Sequence, residues 1–396
     1  MAFPRMIKVQ QQFEAPRVDD IPGTVKAQID GLNLSGKVKK GDTVAITVGS
    51  RGINEIDVIT KAIVEAMKEL GAAPFIVPAM GSHGGGTAEG QRQIIESYGV
   101  TEPFVGCPIR ATMEVVQVGT VEGKVPVYFD RYASEADHVV VSGRVKPHTG
   151  FVGEIESGLH KMMLIGLGKH KGAAIYHQAI VHYSFDRIIR GVAQQVIDKC
   201  GILFGLAMVE NQYDQTAMID AVPPEKFAER EKELLILAKK WMPRLPFDRV
   251  DLLVIDAMGK NISGSGIDTN VVGRKYNDHA AAEKEFPKVT RILVRGLTPE
   301  THGNAAGIGM AEYCHKRLVD GMNVEATVIN CMTGNAPSGV AIPVHFATDR
   351  ECLEKALQTV GFVEPQNAMV LRIRNTLHLG ELLVSVKADD ESRQAY

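Results

Sequence analysis

Residues 42–80 read DTVAITVGSRGINEIDVITKAIVEAMKELGAAPFIVPAM, and this stretch decides the fold class. Val44, Ile46 and Val48 recur at every second position, the pattern of a short β-strand. After a glycine-flanked turn, Ile56, Ile59, Ile63, Met67 and Leu70 repeat every three or four positions and line one face of a helix. Gly71 stops that helix, and PFIVPAM at 74–80 is the next strand. Strand, helix, strand in this order needs a crossover connection and implies parallel pairing. A second helix is expected from Thr87, a good N-cap residue, with Ile94, Ile95 and Tyr98 turned inward. DHVVVSGRVKPH at 137–148 repeats the strand-then-loop theme.

A boundary falls near 223–246, where PPEKFAEREKELLILAKKWMPRLP is a charged amphipathic helix bracketed by prolines. Beyond it VDLLVIDAM and VTRILVRGL read as strands. TDRECLEKALQTVG reads as a helix with a Thr348/Glu351 capping box, and MVLRIR and ELLVSV as strands again. The expected architecture is α/β, two α/β domains with mainly parallel sheets and the active site in the cleft between them. The N-terminal catalytic and cofactor-anchoring domain is expected over 1–244 and the C-terminal domain over 245–365, with the tail 366–396 packing back on the first. Loops at the carboxyl ends of strands are where such sheets bind ligands.

Composition narrows the partners. The 396 residues are 45% hydrophobic and 23% charged, with a net charge of −3 and no run of Lys or Arg, so neither nucleic acid nor an anionic membrane is indicated. No apolar stretch approaches the ~20 residues of a membrane helix, and MAFPRMIKVQQQFEAP lacks a signal-peptide core. Cys107, Cys200, Cys314, Cys331 and Cys352 are scattered and form no CxxC pair, as expected for reduced thiols in a cytoplasmic protein.

The chemistry concentrates in three loops. VGSRG at 48–52 carries Arg51, and GSHGGGT at 81–87 carries His83. Both follow strands of one parallel unit, so the two side chains are expected at one sheet edge, where helix N-terminal amides favour an anion. The third stretch, GRVKPHTGFVGEIESGLHKMMLIGLGKHKGAAIYHQAIVHYS, begins at Gly143. Around it lie six of the twelve histidines: His138, His148, His160, His170, His177 and His182. Imidazole changes charge near neutral pH and is the commonest metal ligand. Lys161, beside the apolar run MMLIGLG, is placed to lose its proton and act as a nucleophile, or to snorkel outward. His138 within a strand reads as a packing or edge residue, and His170 in GKHKG as solvated.

A zinc-dependent hydrolase built on His160, His170, His177 or His182 is one alternative, but HExxH is absent and His177 and His182 do not have its spacing. A dinucleotide site is weaker, because GSHGGGT is not GxGxxG. A non-catalytic nucleotide- or metal-binding protein is the third alternative.

GSHGGGT, KPHTGF, and SGLHK with His177 sixteen positions beyond its lysine together resemble the nickel-dependent lactate racemase family of 2-hydroxyacid racemases and epimerases. The resemblance runs from about Val44 to Tyr183. It implies a covalently bound nickel-pincer nucleotide, a pyridinium-3,5-bisthiocarboxylic acid mononucleotide that holds nickel and is made by dedicated maturation enzymes. By the same resemblance Lys161 is the covalent anchor, His177 the nickel ligand, and Ser50 a further cofactor contact. His83 and His148 are the acid–base pair, and Arg51 holds the carboxylate of a small 2-hydroxyacid. The chain departs from the lactate enzymes in three places. Val48-Gly49-Ser50-Arg51 lacks the acid of their first loop, His148 and Lys161 lie farther apart, and GSGIDTN puts Ile267 where they have a lysine. Lys260 is the expected substitute at the substrate. These departures argue against assuming lactate as the substrate; malate, other hydroxyacids and sugar acids remain open, as does a homo-oligomer.

Overall fold

The computed structural model of the chain describes residues 1–386 except 51, 151, 275–284 and 335; at 177, 181 and 333 it describes the backbone alone. In chain order the first strands are β1 (Met6–Gln10), β2 (Thr43–Val48), β3 (Ala73–Pro78), β4 (Val115–Val121), β5 (Val125–Asp130) and β6 (His138–Arg144). They are followed by β7 (Ile202–Glu210), β8 (Thr216–Val222), β9 (Arg249–Ile255) and β10 (Lys288–Val294). The last are β11 (Tyr313–His315), β12 (Val344–Phe346), β13 (Val370–Ile373) and β14 (Glu381–Ser385). Two compact α/β units result. One comprises 15–147 and 152–242; the other comprises 1–14, a short segment beginning at His148, and the chain from Pro243 onward.

The first unit has a five-stranded sheet in the order β3-β2-β6-β7-β8, parallel except for β8 at its edge. The strand–helix–strand reading of residues 42–80 is realised: β2 and β3 pair in parallel with Ile46 opposite Ile76, joined by the helix Ile56–Glu69. Ile56, Ile59, Ile63 and Met67 are all buried on the core face of that helix. Each contributes about 1.5–3 kcal/mol by leaving water. Thr87 caps the next helix, Ala88–Ser97, by accepting from Gly90 N at 3.1 Å. Ile95 is buried there, with Ile94 and Tyr98 packed on the same core. A separate hairpin pairs β4 with β5.

From β2 the chain moves to β3 on one side and later returns to β6 on the other, so the strand order reverses at β2. Such a reversal splays the following loops and opens a crevice beyond the carboxyl ends of the strands. The loops after β2, β3 and β6 share that edge.

The second unit has a seven-stranded sheet in the order β1-β14-β13-β9-β10-β11-β12. Strands β9 to β13 run parallel, and β14 alone is reversed, pairing antiparallel with β13 on one side and β1 on the other. Two expectations need correction here. The tail does not return to the N-terminal domain: β13 pairs with β9, Leu371 opposite Leu253, and β14 follows it. Residues 1–14 also belong to this unit, because β1 pairs with β14. The physical reason is that β9, with Leu252, Leu253, Val254 and Ile255 all buried, is a central strand, and the backbone groups along both of its edges need a hydrogen-bonding partner. Val370, Leu371 and Ile373 supply the second one. The charged helix forms as Phe227–Trp241, just before the division at Pro243. Thr348 and Glu351 cap the helix Asp349–Leu357 reciprocally: Glu351 N donates to the hydroxyl at 3.2 Å, and the hydroxyl donates to the Glu351 carboxylate at 2.9 Å. No described helix is long and apolar enough to cross a membrane.

Candidate functional site

The carboxyl edge of the first unit's sheet holds a cleft. Ser50 lines it from the loop after β2, His83 from the loop after β3, and Arg144 and Lys146 from the end of β6. Lys161 and Met162 close the far wall. Thus Ser50, His83 and Lys161, expected at the site from sequence, are brought together by one unit.

Lys161 ends a one-turn helix, Leu159–Lys161, that continues as a π-helical turn, Met162–Gly166. Single π turns inside helices are rare and concentrate at functional sites, where they displace a side chain from the regular helical face. Just before Lys161, His160 is buried and donates from its backbone N to Glu231 Oε2 at 3.1 Å; its Nδ1 makes a second, shorter bond to the same oxygen. His160 therefore holds the one-turn helix against the helix Phe227–Trp241.

His83 has a defined tautomer. Its Nδ1 lies 2.8 Å from the carbonyl oxygen of Met80, which can only accept, so Nδ1 carries the hydrogen. The neutral ring then presents Nε2 as its basic atom. The three glycines that follow all have positive φ, Gly84 at +67°, Gly85 at +65° and Gly86 at +64°. A side chain on Gly84 would place its Cβ 2.5 Å from the Gly90 carbonyl carbon. The glycine run thus serves the tight turn and its packing on the next helix.

His148 lies in the other unit. Asn270 Nδ2 donates to the His148 carbonyl at 3.4 Å and Thr269 Oγ1 to the Thr149 carbonyl at 2.8 Å. Its Nδ1 accepts from Gly150 N at 3.0 Å, which puts the hydrogen of the neutral ring on Nε2. Lys260 belongs to that unit too: Nζ donates to the Gly264 carbonyl at 2.5 Å and its backbone N to Thr301 Oγ1 at 3.2 Å. Ile267 is fully buried, and Asp268 caps a short helix through Asn270 N. Arg51 lies outside the described residues, as does the side chain of His177, whose backbone is in the helix Lys169–His182.

The other histidines separate by environment. His138 Nε2 pairs with Asp42 at 3.1 Å, and His170 and His182 are exposed. Among the described residues no three His, Cys, Asp or Glu side chains gather as a metal site.

Sequence reading missed four contributors. Lys146 stands in the quoted GRVKPH, two residues before His148, and was passed over for the histidine. Arg144 pairs with Glu210, whose other oxygen accepts from Asn54 N at 2.8 Å and ties down the loop after β2. Gln91 and Lys169 are buried behind His83. No local pattern marks them, since their partners are distant in sequence.

Residues 7–186 match the family model described as the lactate racemase N-terminal domain. Comparison with curated proteins gives no match. Among solved structures, the lactate racemase apoprotein from Thermoanaerobacterium thermosaccharolyticum superposes with a TM-score of 0.54 at 13% identity, covering 93% of this chain and 94% of that one. Over residues 7–186 the chain is thus similar to the lactate racemase N-terminal domain, and it shares its α/β fold with a lactate racemase apoprotein.

Proposed function

We propose that the protein is a racemase or epimerase of a small 2-hydroxyacid, working through a planar 2-keto acid and a lysine-tethered nickel-pincer nucleotide. The observation that carries this is the single cleft lined by His83, Lys146 and Lys161 at the carboxyl edge of β2, β3 and β6. The residues present fit such a group. Lys161 offers an amine on the cleft wall, and Arg144 and Lys146 add positive charge for a phosphate. Lys161 would anchor the nucleotide, Ser50 would hydrogen-bond it, and His177 would hold the nickel, for which neutral imidazole beside sulfur donors is a suitable ligand. When bound, the group supplies a reversible hydride acceptor, the redox capacity that side chains lack.

The chain's own residues handle binding and protons. Arg51 would clamp the substrate carboxylate through two parallel hydrogen bonds. His83, with its hydrogen fixed on Nδ1 by Met80, is set to take the hydroxyl proton at Nε2. His148, with Nδ1 accepting from Gly150 N, carries the hydrogen of its neutral ring on Nε2 and would have to move it to Nδ1 before serving as the base for the other enantiomer. Each histidine would serve one enantiomer, taking the hydroxyl proton as a neutral base and returning it as the imidazolium. General acid–base catalysis of this kind contributes roughly 10²–10⁴-fold. Lys260 would contact substrate by exchanging its bond to the Gly264 carbonyl. Maturation enzymes are the implied protein partners and the cytoplasm the implied compartment.

The test is co-expression with nickel-pincer maturation enzymes, followed by intact-mass measurement, peptide mapping and a panel of 2-hydroxyacids. A nucleotide-sized adduct on Lys161, absent from Lys161→Ala, together with inversion of one panel member, is expected. A loaded protein that inverts none, or a nucleotide retained by Lys161→Ala, overturns the proposal.

A further inference from the structure

Behind the His83 loop lies a buried polar chain that the proposed chemistry does not use. Lys169 is fully buried and its backbone is left-handed, φ +55°, a conformation rare outside glycine. It sits where the π-helical turn after Lys161 gives way to the helix Lys169–His182. Its ammonium donates to the Pro78 carbonyl at the end of β3 and to Gln91 Oε1 at 3.2 Å, and it lies 3.0 Å from Asp130 Oδ2. Gln91, also fully buried, donates from Nε2 to the Gly81 carbonyl at 2.8 Å and to the His83 carbonyl at 3.4 Å.

We infer that Lys169 and Gln91 form a strut that fixes His83 relative to the Lys161 segment, making both positioning residues for the acid–base step. This rests on the assignment of His83 as an acid–base group. The chemistry of the link is specific. An ammonium only donates and a backbone carbonyl only accepts, so the side chain between them must do both. A primary amide does so; a carboxylate of the same size cannot donate, and an apolar side chain can do neither. Three carbonyls of the loop, those of Pro78, Gly81 and His83, are therefore tied to the start of the helix that carries His177. Burying a lysine and an aspartate costs more solvation than a well-packed apolar pair would. A purely structural filler has no need of them; a loop that must hold one imidazole in register does.

The experiment compares wild type with Gln91→Glu, Gln91→Met and Lys169→Met. Each is followed by melting temperature, by imidazole nitrogen NMR of His83 and by steady-state kinetics of the loaded enzyme. Wild-type His83 should show one Nδ1–H tautomer. Gln91→Glu and Gln91→Met keep the Lys169–Asp130 contact yet lose the bonds to Gly81 and His83. In both, the His83 signals should average between tautomers and kcat should fall about 10–100-fold, the usual effect of a misplaced catalytic group. KM should stay within about threefold and the Lys161 adduct should form normally, because neither variant touches the cleft wall. A folded Gln91→Glu protein with wild-type His83 signals and wild-type kcat overturns the strut. If Lys169→Met does not fold, the two Gln91 variants decide. If wild type inverts no hydroxyacid, the racemase proposal fails while the NMR comparison still decides the strut.

Discussion

Glu231 Oε2 accepts from both the backbone N and the Nδ1 of His160, and both residues are almost wholly buried. The pair binds the residue next to Lys161 to a helix some seventy positions later in the chain. Replacing Glu231 by Ala leaves two buried donors without an acceptor, at about 1–3 kcal/mol for each such group. Glu231→Ala should therefore melt well below wild type and slow adduct formation at Lys161, read by a mass-spectrometric time course. Glu231→Gln keeps an acceptor and should lie between the two.

The glycines after His83 should differ in cost. Gly84 and Gly85 have nearly the same left-handed φ, +67° and +65°. A Cβ on Gly84 meets the backbone of Gly90 at 2.5 Å, while one on Gly85 meets nothing within 4 Å. Gly85→Ala should cost only the conformational strain, about 1–2 kcal/mol. Gly84→Ala must also shift a helix, and chemical denaturation should show the larger loss together with weaker His83 function.

Acid should destabilise the second unit through Asp349. Its hydrogen bonds to Arg295, at 2.9 and 2.8 Å, hold its carboxyl well below the usual carboxylate range, with Arg317 adding a third. A folded pKa below the unfolded value of about 3.9 means stability present above pH ~4 and lost as pH falls through the folded value. Asp349→Asn should thus lower stability at pH 7, and the gap from wild type should close as pH drops below about 4. The group is partly exposed, so the effect should shrink in high salt. A gap independent of pH would exclude this origin.

All five cysteines are buried and none is in a disulfide. Burial pushes the thiol of Cys107 up to about 11 and those of Cys200 and Cys314 up to about 12. Since the thiolate is the reactive form, Ellman's reagent at neutral pH should label the native protein slowly and the denatured protein at once. Rapid labelling of any cysteine under native conditions would show that its surroundings open.

Local pattern was enough for the first half of the fold. The repeat of Ile56, Ile59, Ile63 and Met67, the stop at Gly71 and the cap at Thr87 are short-range signals, and helix, strand and parallel crossover follow from them. So does the shared edge of the loops after β2 and β3, which carry Ser50 and His83; Lys161 was placed beside them by family resemblance alone. Pairing between distant segments was not legible. That β1 and β13 join one sheet depends on which strand pairs with the second edge of β9, a competition no local window contains. The same holds for hydrogen-bond partners: Gln91 with Gly81, Lys169 with Pro78 and Glu231 with His160 meet only when the chain closes. Sequence alone determined the fold class and which reactive side chains face one edge. Tertiary structure decided which nitrogen of His83 carries its proton and what holds the loop still, because a tautomer is set by the neighbouring atom in space.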